Sequence, residues 1–204
     1  MDDFSYEEIL IFLKQYSYLL ESIHSIIKNK KRYWGFMRII GIDPGLRNTG
    51  WGVIETKGDK IVEVANGICA TKTSDNLALR LRCIFENLSM VLTTFKPDQA
   101  AVESTFVNKD ASNTLKLGQA RGVCMLVPAL AGLNVEEYAP NAVKKAVVGV
   151  GHASKEQIKY MVKLQFPKIQ LRSIDSTDAL AVAICHANHL RNSMKMHKKL
   201  QYSA

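Results

Sequence analysis

MRIIGIDPGLRNTGWGVI, residues 37–54, is the stretch that decides the fold of this chain. Residues 38–42 are rich in branched apolar side chains, and the run is long enough for a buried strand but too short for a helix. This strand ends on Asp43, and Pro44-Gly45 then turns the chain. A carboxylate at the tip of a buried strand is costly unless it is paired or binds a metal. Asp43 is therefore either a catalytic or metal-binding acid, or a turn-forming residue that caps its own loop.

Alternating strands and helices occupy the rest of the chain, which predicts an α/β protein. Further strands are predicted at residues 49–55, 61–70, 99–103 and 133–138. Helices are predicted at residues 74–95 with Ser74 as the cap, at 109–131, 140–148 and 154–165, and from about residue 174 onwards. Because only turns separate the first three strands, we expect them to form a meander.

Two features of these strands bear on a possible site. Gly50 and Gly52 in the second strand leave room for another backbone or for a ligand. The fourth strand ends on Glu103, just as the first ends on Asp43. If these two strands are parallel neighbours, both acids leave the sheet at the same edge. The alternative interpretation of Glu103 is a solvated acid at a strand end.

The composition is typical of a soluble globular protein, with 47% hydrophobic and 23% charged residues among 204. A net charge of +8 indicates a polyanionic partner, with nucleic acid the leading candidate. The four cysteines lie far apart without a CxxC pair, which predicts neither a zinc site nor disulfides and indicates a reducing cytosol. No apolar stretch approaches the length of a membrane span, and no signal-peptide pattern opens the sequence. We therefore expect a cytoplasmic protein.

The two ends of the chain differ from its middle. Residues 1–36 carry apolar side chains at helical spacing, which predicts an amphipathic helix to about Lys28. This extension is a helix packed on the domain, a partner-binding arm, or the result of an upstream start codon with Met37 as the true beginning; we favour a peripheral element. Residues 37–190 are expected to form the main domain. Residues 191–204 carry four bases and no acid, and are expected to be a frayed basic tail.

Two more acids open the last predicted helix. Asp175 and Asp178 are three residues apart, which places them on one face of its opening turn. Acids in a first turn also suit the helix dipole, so each has an ordinary structural explanation. Each of the four acids lies at the start or the end of an apolar strand or helix. Together they are typical of phosphodiester hydrolysis with Mg²⁺, because hard divalent cations prefer oxygen ligands. Two ions about 4 Å apart can activate water and stabilise the leaving oxygen.

Five segments of the chain resemble the RuvC family of Holliday-junction resolvases. They are GIDPGLRNTGWGVI (41–54), VESTF (102–106), LKLGQARG (115–122), VKKAVVGVGHASK (143–155) and DSTDALAVAICH (175–186). The resemblance runs from Met37 to about His189, with every motif in order, and it does not account for residues 1–36.

This resemblance implies a ribonuclease H-like fold, with a mixed five-stranded sheet flanked by helices. It also implies a homodimer that resolves four-way DNA junctions by symmetric paired nicking in recombination and DNA repair, with the RuvA/RuvB branch-migration complex as partner. The implied cofactor is Mg²⁺, two ions per subunit, for which Mn²⁺ can substitute. The implied catalytic and metal-binding residues are Asp43, Glu103, Asp175 and Asp178.

The resemblance also assigns residues that bind DNA. A family aromatic that enters the opened junction falls on Phe106, and family lysines near the scissile backbone fall on Lys144 and Lys155. Their ordinary alternatives are a core phenylalanine and solvated charges. Within residues 115–121, which form a dimer face or approach DNA, Arg121 is the best candidate for a phosphate contact.

Two other functions stay open on the sequence. One is a ribonuclease H-like nuclease that acts on another nucleic acid, such as an RNA–DNA hybrid or nicked duplex. The other is a junction-binding scaffold without catalysis. The intact acids argue against the scaffold, and Phe106 together with the basic GHASK loop (151–155) favours junctions over hybrid.

Overall fold

The computed structural model describes residues 36–104 and 110–202, with side chains described as far as residue 193 and at Met196. The predicted N-terminal helix and Phe106 lie outside the described residues. In the described part of the chain, no helix combines the length and apolarity that a membrane span requires.

A five-stranded mixed sheet forms the centre of the fold, with the strand order β3-β2-β1-β4-β5. Its strands are β1 (Phe36–Asp43), β2 (Asn48–Lys57), β3 (Lys60–Ala70), β4 (Gln99–Glu103) and β5 (Val135–Tyr138). The strands β2 and β3 pair antiparallel, whereas β4 pairs in parallel with both β1 and β5. The first and fourth strands are therefore parallel neighbours, which is the condition under which the sequence places Asp43 and Glu103 at the same edge of the sheet.

Five helices flank the sheet. They are α1 (Leu77–Phe95), α2 (Ala111–Leu130), α3 (Pro140–Val148), α4 (Lys155–Gln165) and α5 (Ile174–Tyr202). The fold has two apolar cores, and the side chains of β1 contribute alternately to one and to the other. Ile39 belongs to the core formed with α3, α4 and α5, whereas Ile40 and Ile42 belong to the core formed with α1 and α2. Successive side chains of β1 thus point to opposite faces of the sheet, as is usual for a strand.

Three helices differ from their predicted bounds by two residues or more. The cap of α1 is Asn76, whose side chain accepts a hydrogen bond from the backbone N–H of Leu79, so the prediction of Ser74 as the cap is wrong. The helix α2 begins at Ala111, with Asp110 as its cap. The basic segment after residue 190 continues α5 as far as Tyr202, so the expectation of a frayed tail is wrong over those residues.

Candidate active site

Asp43 and Glu103 lie side by side at one edge of the sheet. Each is the last residue of its strand, and the preceding residues, Ile42 and Val102, are partners in the parallel register. Parallel strands in register deliver their last side chains to the same place, so the apolar strands β1 and β4 hold the two acids together. The side chains are close enough to share a hydrogen bond.

The helix α5 reaches this edge because three glycines let it lie directly on the sheet. A Cβ atom on Gly41 would overlap the carbonyl oxygen of Ala179, and one on Gly50 would overlap that of Asp175. A Cβ atom on Gly52 would lie only 2.6 Å from Cγ of Leu180. The room that the sequence predicted at Gly50 and Gly52 is therefore filled by α5, by its backbone at Gly50 and by the Leu180 side chain at Gly52. This close approach carries Asp175 and Asp178 to the ends of β1 and β4.

The opening turn of α5 is fixed by reciprocal capping. The Ser173 hydroxyl accepts a hydrogen bond from the N–H of Ser176 at 2.9 Å, and the Ser176 hydroxyl accepts one from the N–H of Ser173 at 3.1 Å. Thr177 also donates its hydroxyl to the Ser173 carbonyl at 2.9 Å. These bonds satisfy donors at a helix end that would otherwise lack partners. Asp175 is therefore held in a defined turn.

Burial and mutual repulsion define the electrostatics of the acids. Burial raises the pKa of Asp43, and the charges of Glu103, Asp178 and Asp175 raise it further. Burial is also the largest cause of the raised pKa of Glu103, followed by repulsion from Asp178. The pKa of Asp178 is raised by burial and, to a smaller extent, by Asp175. The four acids predicted from the sequence thus meet in one half-buried cluster, and a nearby cation would relieve their repulsion.

Two lysines face this acidic cluster. Nζ of Lys155 lies 3.5 Å from Oδ2 of Asp178, and the charges of Lys155 and Lys144 both act to lower the pKa of Glu103 and Asp178. Lys155 is the first residue of α4, whose start is fixed by a capping box of Ser154 and Gln157. The structure therefore brings both predicted lysines to the predicted acids.

The donor set suits a hard divalent cation, because every candidate ligand is a carboxylate. In residues 36–104 and 110–202, however, no three acid, histidine or cysteine side chains are arranged as a ready metal-binding group. Asp43 and Glu103 interact with each other, and Asp178 interacts with Lys155. The charge of Lys155 offsets part of the repulsion on Asp178.

The other predicted nucleic-acid contacts have different outcomes. Phe106 lies outside the described residues. The guanidinium of Arg121, on α2, donates from Nε to Oε1 of Glu137 on β5 at 2.8 Å, and Nη2 contacts the same oxygen. Arg121 is thus engaged in holding α2 to the sheet, and its contact with phosphate stays a prediction.

The amino-acid sequence is similar to the proteins of one family. A family model described as "Crossover junction endodeoxyribonuclease RuvC" matches residues 39–186. The crossover junction endodeoxyribonuclease RuvC of Cereibacter sphaeroides is 60% identical over 168 residues, which are 82% of this chain and 99% of the relative. The RuvC of Rhizobium leguminosarum bv. trifolii is 58% identical over 164 residues, covering 80% of this chain and 96% of the relative.

Solved structures agree with the fold. The structure of Thermus thermophilus RuvC in complex with Holliday junction substrate matches with a TM-score of 0.72 and 33% identity, over 77% of this chain and 96% of that one. The yeast mitochondrial Holliday junction resolvase matches with a TM-score of 0.58 and 13% identity, over 82% of this chain and 88% of that one, which is a likeness of fold alone. The predicted ribonuclease H-like fold with a mixed five-stranded sheet is confirmed.

Proposed function

Because the chain belongs to the RuvC family of crossover junction endodeoxyribonucleases, we propose that Asp43, Glu103, Asp175 and Asp178 form the centre at which it cuts DNA. The protein is an endonuclease that hydrolyses phosphodiester bonds and resolves Holliday junctions in recombination and repair. The observation that carries the assignment of the centre is electrostatic. Glu103, Asp178 and Asp175 each contribute to the raised pKa of Asp43, so all four acids act on one small volume.

The four carboxylates bind divalent cations, and we assign two Mg²⁺ ions, with Mn²⁺ as a substitute. When bound, such ions activate the attacking water and offset charge at the scissile phosphate. Asp43 and Glu103, at adjacent strand ends, hold their oxygens rigidly because β1 and β4 are buried on both faces. Asp175 and Asp178 supply the remaining oxygens from α5.

Lys155 and Lys144 orient the DNA strand at this centre. The Lys155 side chain is 69% exposed although its Nζ lies beside the largely buried Asp178. A flexible ammonium in this position can leave the carboxylate once a cation binds there, and can contact a phosphate oxygen. The two lysines therefore keep positive charge on the path of the backbone.

Paired cuts on a two-fold junction require two identical centres, which a homodimer supplies. The helix α2 offers a surface that supports such an interface, since Leu115, Leu126 and Leu130 are all more than half exposed. These residues share one face of the helix with Gly122, around which the structure leaves open space for a Cβ atom. Exposed leucines beside an open glycine suit close packing against the same helix of a second copy.

The remaining assignments follow from family membership. Phe106 is proposed to stack within the opened junction, and the RuvA/RuvB branch-migration complex is proposed as the partner, in the cytoplasm. Residues 1–36 are proposed to be an extension of a domain that spans residues 37–190. In support, 82% of this chain matches 99% of the Cereibacter relative, and the family match lies within residues 39–186.

Cleavage of a synthetic four-way junction by Asp43→Asn tests the assignment of the centre. We expect this variant to lose cleavage in Mg²⁺ while it binds the junction in Ca²⁺ as the unaltered chain does. Asp59→Asn, in the exposed turn between β2 and β3, is the matched control and should cleave normally. Retained cleavage by Asp43→Asn would remove Asp43 from the centre.

A further inference from the structure

Asn66 connects the edge strand β3 to the segment that leads into α5. It is a buried polar residue, only 7% exposed. Its Nδ2 donates to the carbonyl oxygen of Gln170 at 3.2 Å, and its Oδ1 accepts from the backbone N–H of Arg172 at 3.3 Å. The carboxamide therefore pairs with this segment through one donor and one acceptor, as the peptide group of a neighbouring strand would.

A β-bulge gives Asn66 this orientation. Val53 of β2 pairs with Ala65 whereas the next residue, Ile54, pairs with Glu63, so β3 contains one extra residue between them. Without the bulge, Glu63 and Asn66 would point to opposite faces of the sheet. With it, both lie on the α5 face, and Nδ2 of Asn66 also donates to Oε1 of Glu63 at 3.1 Å. Both amide hydrogens and the amide oxygen are thus in use, which fixes the side chain.

The segment that Asn66 binds is the direct approach to the acids of α5. Arg172 is followed by Ser173, which caps the helix, and Asp175 lies in the first turn. Asn66 is also the register partner of Gly52, against which Leu180 of α5 packs. The sheet therefore holds the start of α5 in two ways, by glycine contacts beneath the helix and by Asn66 beside its entry.

We propose that Asn66 is a positioning residue for the nuclease centre. It fixes the path of the chain just before α5, and it thereby positions Asp175 and Asp178 relative to the acids on β1 and β4. The inference rests on the proposed role of those two aspartates. Small displacements of such groups are costly, so loss of the Asn66 contacts should lower kcat by roughly 10–100-fold.

The test compares Asn66→Ala with Thr56→Val. Thr56 is the matched control because its side chain also forms a hydrogen bond with a distant part of the backbone. Its hydroxyl accepts from the N–H of Met37 at 3.2 Å, at the other end of the sheet. The first readout is hydrogen exchange of the backbone amides of residues 175–180 in the metal-free protein. The second is single-turnover kcat on a four-way junction beside the junction Kd.

We expect Asn66→Ala to lose protection at residues 175–180 and to lower kcat, with the junction Kd within about twofold of the unaltered chain. Thr56→Val should lower the urea concentration at the midpoint of unfolding by a similar amount, because it also loses a side-chain hydrogen bond, but without either effect. Exchange at residues 175–180 that is unchanged in Asn66→Ala would overturn the inference even if the chain proved to act on another substrate. Absence of cleavage by the unaltered chain would instead contradict the proposed function.

A double variant separates positioning from stability if Asn66→Ala folds poorly. In Glu63→Gln/Asn66→Asp the hydrogen bond between the two side chains is reversed, and the acceptor for the Arg172 N–H is kept. The Gln170 carbonyl loses its donor. A carboxylate oxygen would face this carbonyl, so we expect a reduced kcat and reduced protection at residues 175–180, both measured under conditions in which the variant is fully folded. Full recovery of kcat together with stability would contradict a positioning role.

Discussion

Nζ of Lys155 lies 3.5 Å from Oδ2 of Asp178, so the first residue of α4 meets the second turn of α5 above the acidic cluster. The two side chains differ in exposure, at 69% for the lysine and 18% for the aspartate. The carboxylate is therefore the fixed partner, and the ammonium can move to another anion. We propose that this other anion is a DNA phosphate, and that Lys155 thereby links the acids to the substrate.

Replacement of this lysine should affect the chemical step more than binding. We expect Lys155→Ala to lower single-turnover cleavage of a four-way junction by roughly tenfold or more, because a charge next to the reacting phosphate is lost. The junction Kd should rise by about threefold or less, since one phosphate contact among many is removed. Lys159→Ala, one turn further along α4, is the control and should change cleavage little. Equal losses in both variants would mean that Lys155 acts only through general charge.

The acidic cluster should cost the metal-free protein stability. Burial and the neighbouring acids raise the pKa of Asp43 to about 8, so at neutral pH folding requires this carboxyl to take up a proton or to keep a destabilised charge. We therefore expect Asp43→Asn to raise the unfolding free energy in EDTA by about 1 kcal/mol, or roughly 2–4 °C in Tm for a domain of this size. Addition of Mg²⁺ should stabilise the unaltered chain and have a much smaller effect on the variant. A lower Tm for Asp43→Asn in EDTA would show that this carboxyl stabilises the fold.

Much of the fold and of the site follows from local sequence. Short apolar runs that end on an acid, as at Asp43 and Glu103, identify both the strands and the side chains at their tips. The three-residue spacing of Asp175 and Asp178 predicts their shared helix face. Ser154 and Pro140 mark helix starts within one residue of those observed.

The features that were not predicted depend on tertiary contacts. The cap of α1 is Asn76 rather than Ser74, because which of two nearby polar residues caps a helix depends on how the chain leaves β3. The pairing of Arg121 with Glu137 joins elements far apart in sequence. Asn66 precedes a glycine, and Asn-Gly ordinarily indicates a turn. Its position inside a long strand was the available signal that this side chain has a special role.

The proposed dimer can be tested by a substitution among the exposed leucines of α2. Leu126 is 52% exposed, and a glutamate there would place charge in an apolar interface. We expect Leu126→Glu to sediment as a monomer and to lose coordinated cuts on both strands, because each centre would then act alone. Leu164→Glu, which changes a leucine on α4 that is 61% exposed, is the control for oligomeric state. Dimeric Leu126→Glu would place the interface elsewhere.

Stability should also depend on pH through His186. Burial lowers the pKa of His186 from 6.5 to about 4, and its Nδ1 lies 2.8 Å from the Tyr138 hydroxyl. Below pH 6.5 the histidine is protonated in the unfolded chain but stays neutral in the folded one. Protonation therefore favours the unfolded chain, and the stability that neutral His186 provides is lost as the pH falls toward 4. Urea unfolding of the unaltered chain and of His186→Gln should therefore show a stability difference that shrinks by roughly 2–3 kcal/mol between pH 7 and pH 4. A difference that is independent of pH would mean that His186 titrates normally.

The most direct test of the proposed function is cleavage of a labelled synthetic four-way junction beside linear duplex and RNA–DNA hybrid, in Mg²⁺ and in EDTA. We expect paired, symmetric nicks on the junction, dependent on Mg²⁺, and little or no cutting of the other two substrates. Cleavage of hybrid in preference to the junction would keep the acidic centre but contradict the substrate. Junction binding by folded dimer without any cleavage in Mg²⁺ would contradict a catalytic role for Asp43, Glu103, Asp175 and Asp178.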